Sequence, residues 1–245
     1  MPTDFGRLTA DSAALRPLAA DVTNLQTALN RLTGDEKHEP SAWSTLDVLW
    51  VLYDRVLRVD PARPGEPDRD RFLLSKGHGP QAFYAVLATK GFFPMEWLDD
   101  MASPTSRLGH HPDRTLVPGV EISSGSLGHG LLLAVGVALG LRAQGYLRTR
   151  TIVLVGDGEL DEGSNHEAIA FAGATGLDSL TVVVVDNSSA THGWPGGIAS
   201  RFAVNGWSAS TVDGHDHDQL EKALTKQHPG RPRVVVAVVN PRSMA

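Results

Sequence analysis

Apolar side chains recur at steps of three and four over 11–32. There Leu15, Leu18, Val22, Leu25, Ala28, Leu29 and Leu32 would share one helix face. A second helix is predicted over 44–59 (STLDVLWVLYDRVLRV), with Ser44 as its N-cap and Asp47 three residues on. The polar, Pro-rich stretch 60–71 reads as a loop. FLLS (72–75) reads as a short strand, and 80–91 as a helix stopped by Gly91. Residues 102–130, with Pro104, Pro112 and Pro118, follow no period. Irregular stretches of that length inside a compact domain are usually functional or disordered. This one carries His110, His111, Gly125, Gly128 and His129, which favours function. An apolar helix is expected from about 128 to 145. Its Gly130, Ala134, Gly136, Ala138 and Gly140 would let another backbone approach closely.

The pattern then changes. TIVLVG (151–156), LTVVVVD (180–186) and RVVVAVV (233–239) are continuously apolar rather than alternating. Such runs mark strands covered on both faces. Helical segments at about 162–176 and 215–228 separate them. This β-α-β-α-β order predicts an α/β fold, a doubly wound parallel sheet flanked by helices. The expected organisation is one domain over 1–245, with a helical amino-terminal segment at about 1–60 and a core sheet at about 72–240. Ligands of such sheets bind beyond the carboxyl ends of the strands.

Composition narrows the partners. The 245 residues carry 22 Lys+Arg against 28 Asp+Glu, a net charge of −6. That balance argues against a nucleic-acid binder, which normally presents a basic face. No apolar run approaches the roughly 20 residues needed to span a bilayer, and the first residues lack the order of a signal peptide. Cys is 0, which rules out disulfides and thiolate metal sites within these residues and fits a cytoplasmic location.

The chemistry concentrates in VGDGELDEGSNHEAIAFAGATGLDSLTVVVVDNSS (155–189). Gly156-Asp157-Gly158 follows an apolar strand and precedes a helix. Two glycines let the backbone bend sharply and bring its N–H groups near an anion, and the helix start favours a phosphate. Asp157 is a hard oxygen ligand suited to Mg²⁺ or Ca²⁺. Thirty positions later, Asn187 ends the next apolar strand, in VVVVDN. Adjacent parallel strands would set the two side by side, with a backbone carbonyl just beyond Asn187 as a third ligand. A bare turn and a turn-capping Asn are the plainer readings of each alone.

Taken together, G-D-G-x-x-x-E-G-x-x-x-E-A with Asn187 at this distance resembles the thiamine-diphosphate signature. Its E-G and H-E-A details resemble transketolases. S-K-G-H-G (75–79), G-H-H-P-D-R (109–114), P-G-V-E-I-S-S-G-S-L-G-H-G (118–130) and V-D-G-H-D (212–216) resemble transketolase segments in the same order. The likeness runs from about residue 20 to 240, and implies the pyrophosphate-type domain of the thiamine-diphosphate-binding fold.

The resemblance implies roles. Asp157, Asn187 and the Ser189 carbonyl would hold Mg²⁺. Gly156 and Gly158 would cradle the diphosphate of thiamine diphosphate, and Glu159 is counted with the cofactor-binding residues. His78 would contact the phosphate end and line the pocket. Gly125, Ser126 and Leu127 would border the aminopyrimidine. His111 matches a histidine that reaches the substrate hydroxyls, and His110 is an equally near match. His38, nine residues before Asp47, has the spacing of another substrate-side histidine, but its E-K-H-E-P-S setting lacks the family's G-H-P-G-G glycines. Glu162 matches a carboxylate at a subunit interface. His129 is read as a helix cap, His166 and Glu167 as motif packing and helix surface, and His215 and His217 as a solvated helix start.

A full transketolase has three domains, and this chain resembles the first. The expectation is therefore one subunit of a split enzyme. A carboxy-terminal partner would carry the pyrimidine domain and its activating Glu, in an α2β2 heterotetramer. THGWPGGIASRF (191–202) is roughly five residues shorter than its family counterpart, and the Lys-Gly-rich continuation after 240 is absent. The cofactor half of the site is thus expected intact and the sugar half altered. The leading expectation is transfer of a two-carbon ketol unit from a ketose to an aldehyde. The alternative is a specialised biosynthetic enzyme moving a glycolyl or acyl unit to a carrier protein or other acceptor. A third reading, a cofactor-free remnant, is disfavoured by the presence of both Asp157 and Asn187.

Overall fold

A computed structural model describes residues 19–32 and 39–239. Five strands form one fully parallel sheet: β1 (Arg71–Leu74), β2 (Thr151–Gly156), β3 (Leu180–Asp186), β4 (Ser208–Asp213) and β5 (Arg233–Val238). Their order is β1-β2-β3-β5-β4. Seven α-helices accompany them among the described residues: α1 (Ala19–Arg31), α2 (Glu39–Val51), α3 (Gln81–Thr89), α4 (His129–Ala143), α5 (Gly163–Ala174), α6 (Gly197–Ala203) and α7 (His217–Thr225).

The uninterrupted valine runs explain the layering. Successive side chains of a strand point to opposite faces, so each run feeds two cores. Val183, Val185, Val235 and Ala237 pack on one face with α2, α3 and α7. Val182, Val184, Val234 and Val236 pack on the other with α4, α5 and α6. All eight are at most 3% exposed, and each buried valine among them stabilises by roughly 1.5–3 kcal/mol.

Three local differences from the periodicity have physical reasons. β4, SASTVD, is absent from the pattern of apolar runs. It is an edge strand with alternating half-buried and exposed residues, paired to β5 alone, so it needs no apolar run. The helix expected over 44–59 starts earlier, at Glu39, and ends in a π turn at Leu52–Val56. Ser44 is therefore not an N-cap but a buried residue inside α2, 7% exposed. Among the small residues of α4, Gly130 lies against Ser75, whereas a Cβ at Gly136 or Gly140 would meet nothing within 4 Å.

β2 and β3 run in register from Thr151↔Leu180 to Gly156↔Val185. Their carboxyl ends therefore finish level, and the loops carrying Asp157 and Asn187 leave the sheet side by side.

Candidate cofactor and active site

Asp157 is 1% exposed. Its backbone N–H extends the ladder to the Val185 carbonyl, 3.1 Å away. Its carboxylate accepts from the Ser189 N–H at 2.6 Å, the Ser189 hydroxyl at 2.6 Å and the Ala190 N–H at 2.9 Å. These bonds clamp the loop after β3 onto the G-D-G turn. Ser188 helps by taking a left-handed φ of 59°. A Cβ on Gly158 would come 3.5 Å from the Ser189 carbonyl oxygen, so the third residue of the turn lies directly under that carbonyl. Asn187 Oδ1 is buried and has no hydrogen-bond partner among the described residues. A buried, unpaired amide oxygen costs about 1–3 kcal/mol, and a cation there would satisfy it. A carboxylate, an amide oxygen and a peptide carbonyl are hard oxygen donors of the kind Mg²⁺ takes, so these residues fit the metal.

Lys76 and Glu159 lie behind this corner. Lys76 is 6% exposed and Glu159 2%. The Lys76 stem crosses Gly156, where a Cβ would come 3.2 Å from its Cδ. Burial pulls the Lys76 ammonium down to about 8, against the pull of the Glu159 and Asp157 carboxylates. Glu159 does not simply line the turn. Its carboxylate accepts from the Ser75 hydroxyl, from the Gly128 N–H at 2.9 Å and from the Gly156 N–H at 3.3 Å. One side chain thus ties the S-K-G-H-G loop, the start of α4 and the end of β2. Burial raises the Glu159 pKa, and the bonds from Ser75, Gly128 and Gly156 only partly offset this.

The second wall is the meeting of S-K-G-H-G with G-S-L-G. A Cβ on Gly77 would come 2.5 Å from Ser124 Oγ and 2.6 Å from Gly125 N. Gly125 has φ +140°, and a Cβ there would come 2.9 Å from the His111 ring. His111 Nδ1 lies 3.1 Å from the Gly77 carbonyl. A carbonyl only accepts, so Nδ1 carries the proton in that bond, and the neutral tautomer this selects has its lone pair on Nε2. His111, rather than His110, therefore seats itself between the two loops. His78 is half-buried beside them; Leu127 is half-buried and Ser126 exposed. Glu162 is exposed at the head of α5. A Cβ on Gly128 would come 2.7 Å from Glu162 Cβ, which places that carboxylate's stem against the start of α4. His38 lies outside the described residues.

The remaining histidines sort differently. His215 and His217 are not a solvated helix start. Their rings bond the two oxygens of Asp47, at 2.8 and 2.9 Å. The α7 cap is Asp216, which accepts from the Asp218 and Gln219 N–H groups. No group of three or more metal-ligating side chains that could hold an ion occurs among the described residues. His129 is exposed as the first residue of α4, whose cap position, Gly128, makes no side-chain cap bond. His166 lies 5.2 Å from the Trp194 ring. Lys76 lies inside the S-K-G-H-G segment, yet the sequence assigns it no role. Its place directly before Gly77, in a run of buried residues, becomes telling only once Gly156 and Glu159 are seen beside it.

A parallel α/β sheet with a G-D-G turn and a facing Asn loop at level strand ends defines a domain of the thiamine-diphosphate-binding class. Residues 14–239 match the family model described as transketolase, thiamine diphosphate binding domain, and the chain belongs to that family. It is 53% identical over 242 residues to "Ferredoxin fas2" of Rhodococcoides fascians, covering 99% of this chain and 80% of that protein. It is 37% identical to the 6-deoxy-6-sulfo-D-fructose transketolase subunit SqwG of Clostridium sp. (strain MSTE9), covering 81% of this chain and 75% of the relative. Among solved structures, transketolase from Leishmania mexicana superposes with a TM-score of 0.72 at 29% identity, over 84% of this chain and 37% of that one. The chain thus spans little more than a third of that transketolase.

Proposed function

We propose that this chain is the cofactor-binding subunit of a two-subunit, transketolase-like transferase that moves a two-carbon ketol unit from a ketose to an aldehyde. The observation that carries the reading is the corner where buried Asp157 and the unpartnered Asn187 Oδ1 converge with the Ser189 loop. Asp157, Asn187 and the Ser189 carbonyl would hold Mg²⁺, and Gly156 and Gly158 would let the diphosphate approach the backbone. When bound, thiamine diphosphate supplies a carbanion that attacks a carbonyl and then accepts electrons.

The chain's own groups orient and move protons. The Gly77 carbonyl holds the His111 ring through Nδ1–H, so Nε2 is the atom that takes or returns a substrate hydroxyl proton. His78, on the neighbouring loop, would meet the phosphate end of the bound cofactor. Gly125, Ser126 and Leu127 would border its ring. Glu159 ties together the loops that form this site.

A second chain in the enzyme is supported by the surface. Leu132 and Leu133 on α4 are each 47% exposed, and Phe171 on the adjoining α5 is 49% exposed. Gly136 adds open backbone beside them. Large exposed apolar side chains on two helices that pack together are of the kind that interaction sites use, and Glu162 is exposed at the head of the second of them. SqwG is named as one subunit of its transketolase. The same holds for a relative from Actinobacillus succinogenes, 36% identical over 207 residues, whose name places it in an apulose-4-phosphate transketolase. The partner would carry the pyrimidine domain and its activating Glu, two copies of each chain forming the enzyme. The name ferredoxin does not extend to these residues, since cysteine-ligated iron–sulfur clusters need thiolates and Cys is 0.

Reconstitution tests the proposal. The chain, mixed with its carboxy-terminal partner, thiamine diphosphate and Mg²⁺, is assayed with ketose phosphates and aldehyde acceptors. Ketol transfer is expected from the pair and from neither protein by itself. Turnover of 2-oxo acids with no turnover of any ketose would overturn the ketol assignment.

A further inference from the structure

The corner that would receive a diphosphate is built over two buried carboxylates, Asp157 and Glu159, at 1% and 2% exposure. An anion-binding corner does not ordinarily place a second acid beneath its ligand, because a buried charge is tolerated only when compensated. Asp157 is accounted for by the metal it would ligate. Glu159 is not. Its three accepted bonds run to Ser75, Gly128 and Gly156, all on loops that shape the site.

The buried cation nearest to hand is Lys76. It is buried at 6% exposure, and its stem lies across Gly156 at the first residue of the G-D-G turn. The Glu159 carboxylate accepts from the N–H of that same Gly156 at 3.3 Å, so the two side chains meet at one residue, and the Glu159 and Asp157 carboxylates both favour the charged ammonium. Two carboxylates and one ammonium leave one negative charge, which a divalent ion turns into one positive charge. Without Lys76 the same corner, metal included, would be neutral towards an incoming diphosphate.

We propose that Lys76 is a positioning residue for the diphosphate, its ammonium neutralising Glu159 so that Glu159 can hold three loops together without repelling the anion above them. The proposal rests on the Asp157–Asn187–Ser189 reading of the site. It assigns the S-K-G-H-G lysine and the Glu of G-D-G-E to one coupled pair.

A double-mutant cycle on the reconstituted two-chain enzyme tests it. Lys76→Met, Glu159→Gln, the double variant and Asp157→Ala are titrated calorimetrically with thiamine diphosphate at fixed Mg²⁺, and with magnesium pyrophosphate as a tail-only probe. Thermal melts are recorded alongside. Lys76→Met is expected to weaken both ligands 10- to 100-fold, with a steeper dependence on Mg²⁺. Adding Glu159→Gln to Lys76→Met is expected to restore at least half of the lost binding free energy, because both charges are then gone. If Lys76→Met does not fold, Lys76→Gln carries the same prediction. Wild-type affinity in the Lys76 variant, or a double variant as weak as the lysine variant alone, overturns the proposal. Asp157→Ala separates the two readings: lost binding there with unchanged binding in the lysine variant refutes only the pair, whereas unchanged binding in Asp157→Ala refutes the site itself.

Discussion

Replacing Gly77 with Ala puts a methyl group into the seam between two loops that flank the proposed cofactor. The new Cβ would come 2.5 Å from Ser124 Oγ, 2.6 Å from Gly125 N and 2.8 Å from the Ser124 carbonyl carbon. The Ser124 hydroxyl can rotate away, but the other two atoms are backbone. Ordinary contact needs about 3.4–4 Å, so the loops must part by roughly 1 Å. Overpacking of this kind costs typically about 1–3 kcal/mol. For a chain of this size that is a fall in Tm of roughly 2–12 °C. The displacement reaches further, because the Gly77 carbonyl holds His111 at 3.1 Å and Gly125 lies under the same ring. A misplacement near 1 Å can cost about 100-fold in rate. Calorimetric melting of the chain and steady-state kinetics of the reconstituted enzyme read the two effects separately. A variant with wild-type kcat/KM would refute the argument that this seam sets the His111 position, whatever its Tm.

Three other outcomes are expected. Leu132→Asp with Leu133→Asp should weaken association with the partner chain by a factor of about 100 or more, measured by biolayer interferometry. The chain's own melting should shift little, since both side chains are about half exposed. Asp70 is fully buried and held by Arg58 and Arg150. Burial pushes its carboxyl up, but the bonds from Arg150 and Arg58 outweigh this and hold it below its ordinary value. The stability it contributes is therefore complete above about pH 4 and lost as pH falls through the depressed value, so an Asp70→Asn chain should show a flatter acid-denaturation curve. Asp47→Ala removes the acceptor shared by His215 and His217, and should lower unfolding stability by about 1–3 kcal/mol in a urea titration.

Much of the fold is legible in the sequence because burial on both faces leaves a local trace. The valines of β2, β3 and β5 need apolar neighbours above and below, so the middle of each run is apolar without interruption and the boundaries fall within a residue of those expected. β4 leaves no such trace. Its Ser208, Ser210 and Val212 face inward only partly, and the strand borrows its order from β5. A plausible cap at Ser44 points to too late a start for α2, although Pro40 in the first turn is itself a start signal. The two ends of the proposed metal corner can be found because each is a contiguous motif at a strand end. The Asp47 clasp and the proposed Lys76–Glu159 pair cannot, because their members lie far apart in the chain and come together only when the sheet is assembled.

The central claim is that Asp157 and Asn187 hold a divalent ion that tethers the diphosphate. Calorimetric titration of thiamine diphosphate into the reconstituted enzyme, with Mg²⁺ and then with excess EDTA, tests it most directly. Tight binding that disappears with the chelator, and that is lost with Mg²⁺ present in Asn187→Ala, is the predicted result. Equal affinity with and without the metal, or an Asn187→Ala enzyme that binds as the unaltered one does, would contradict it.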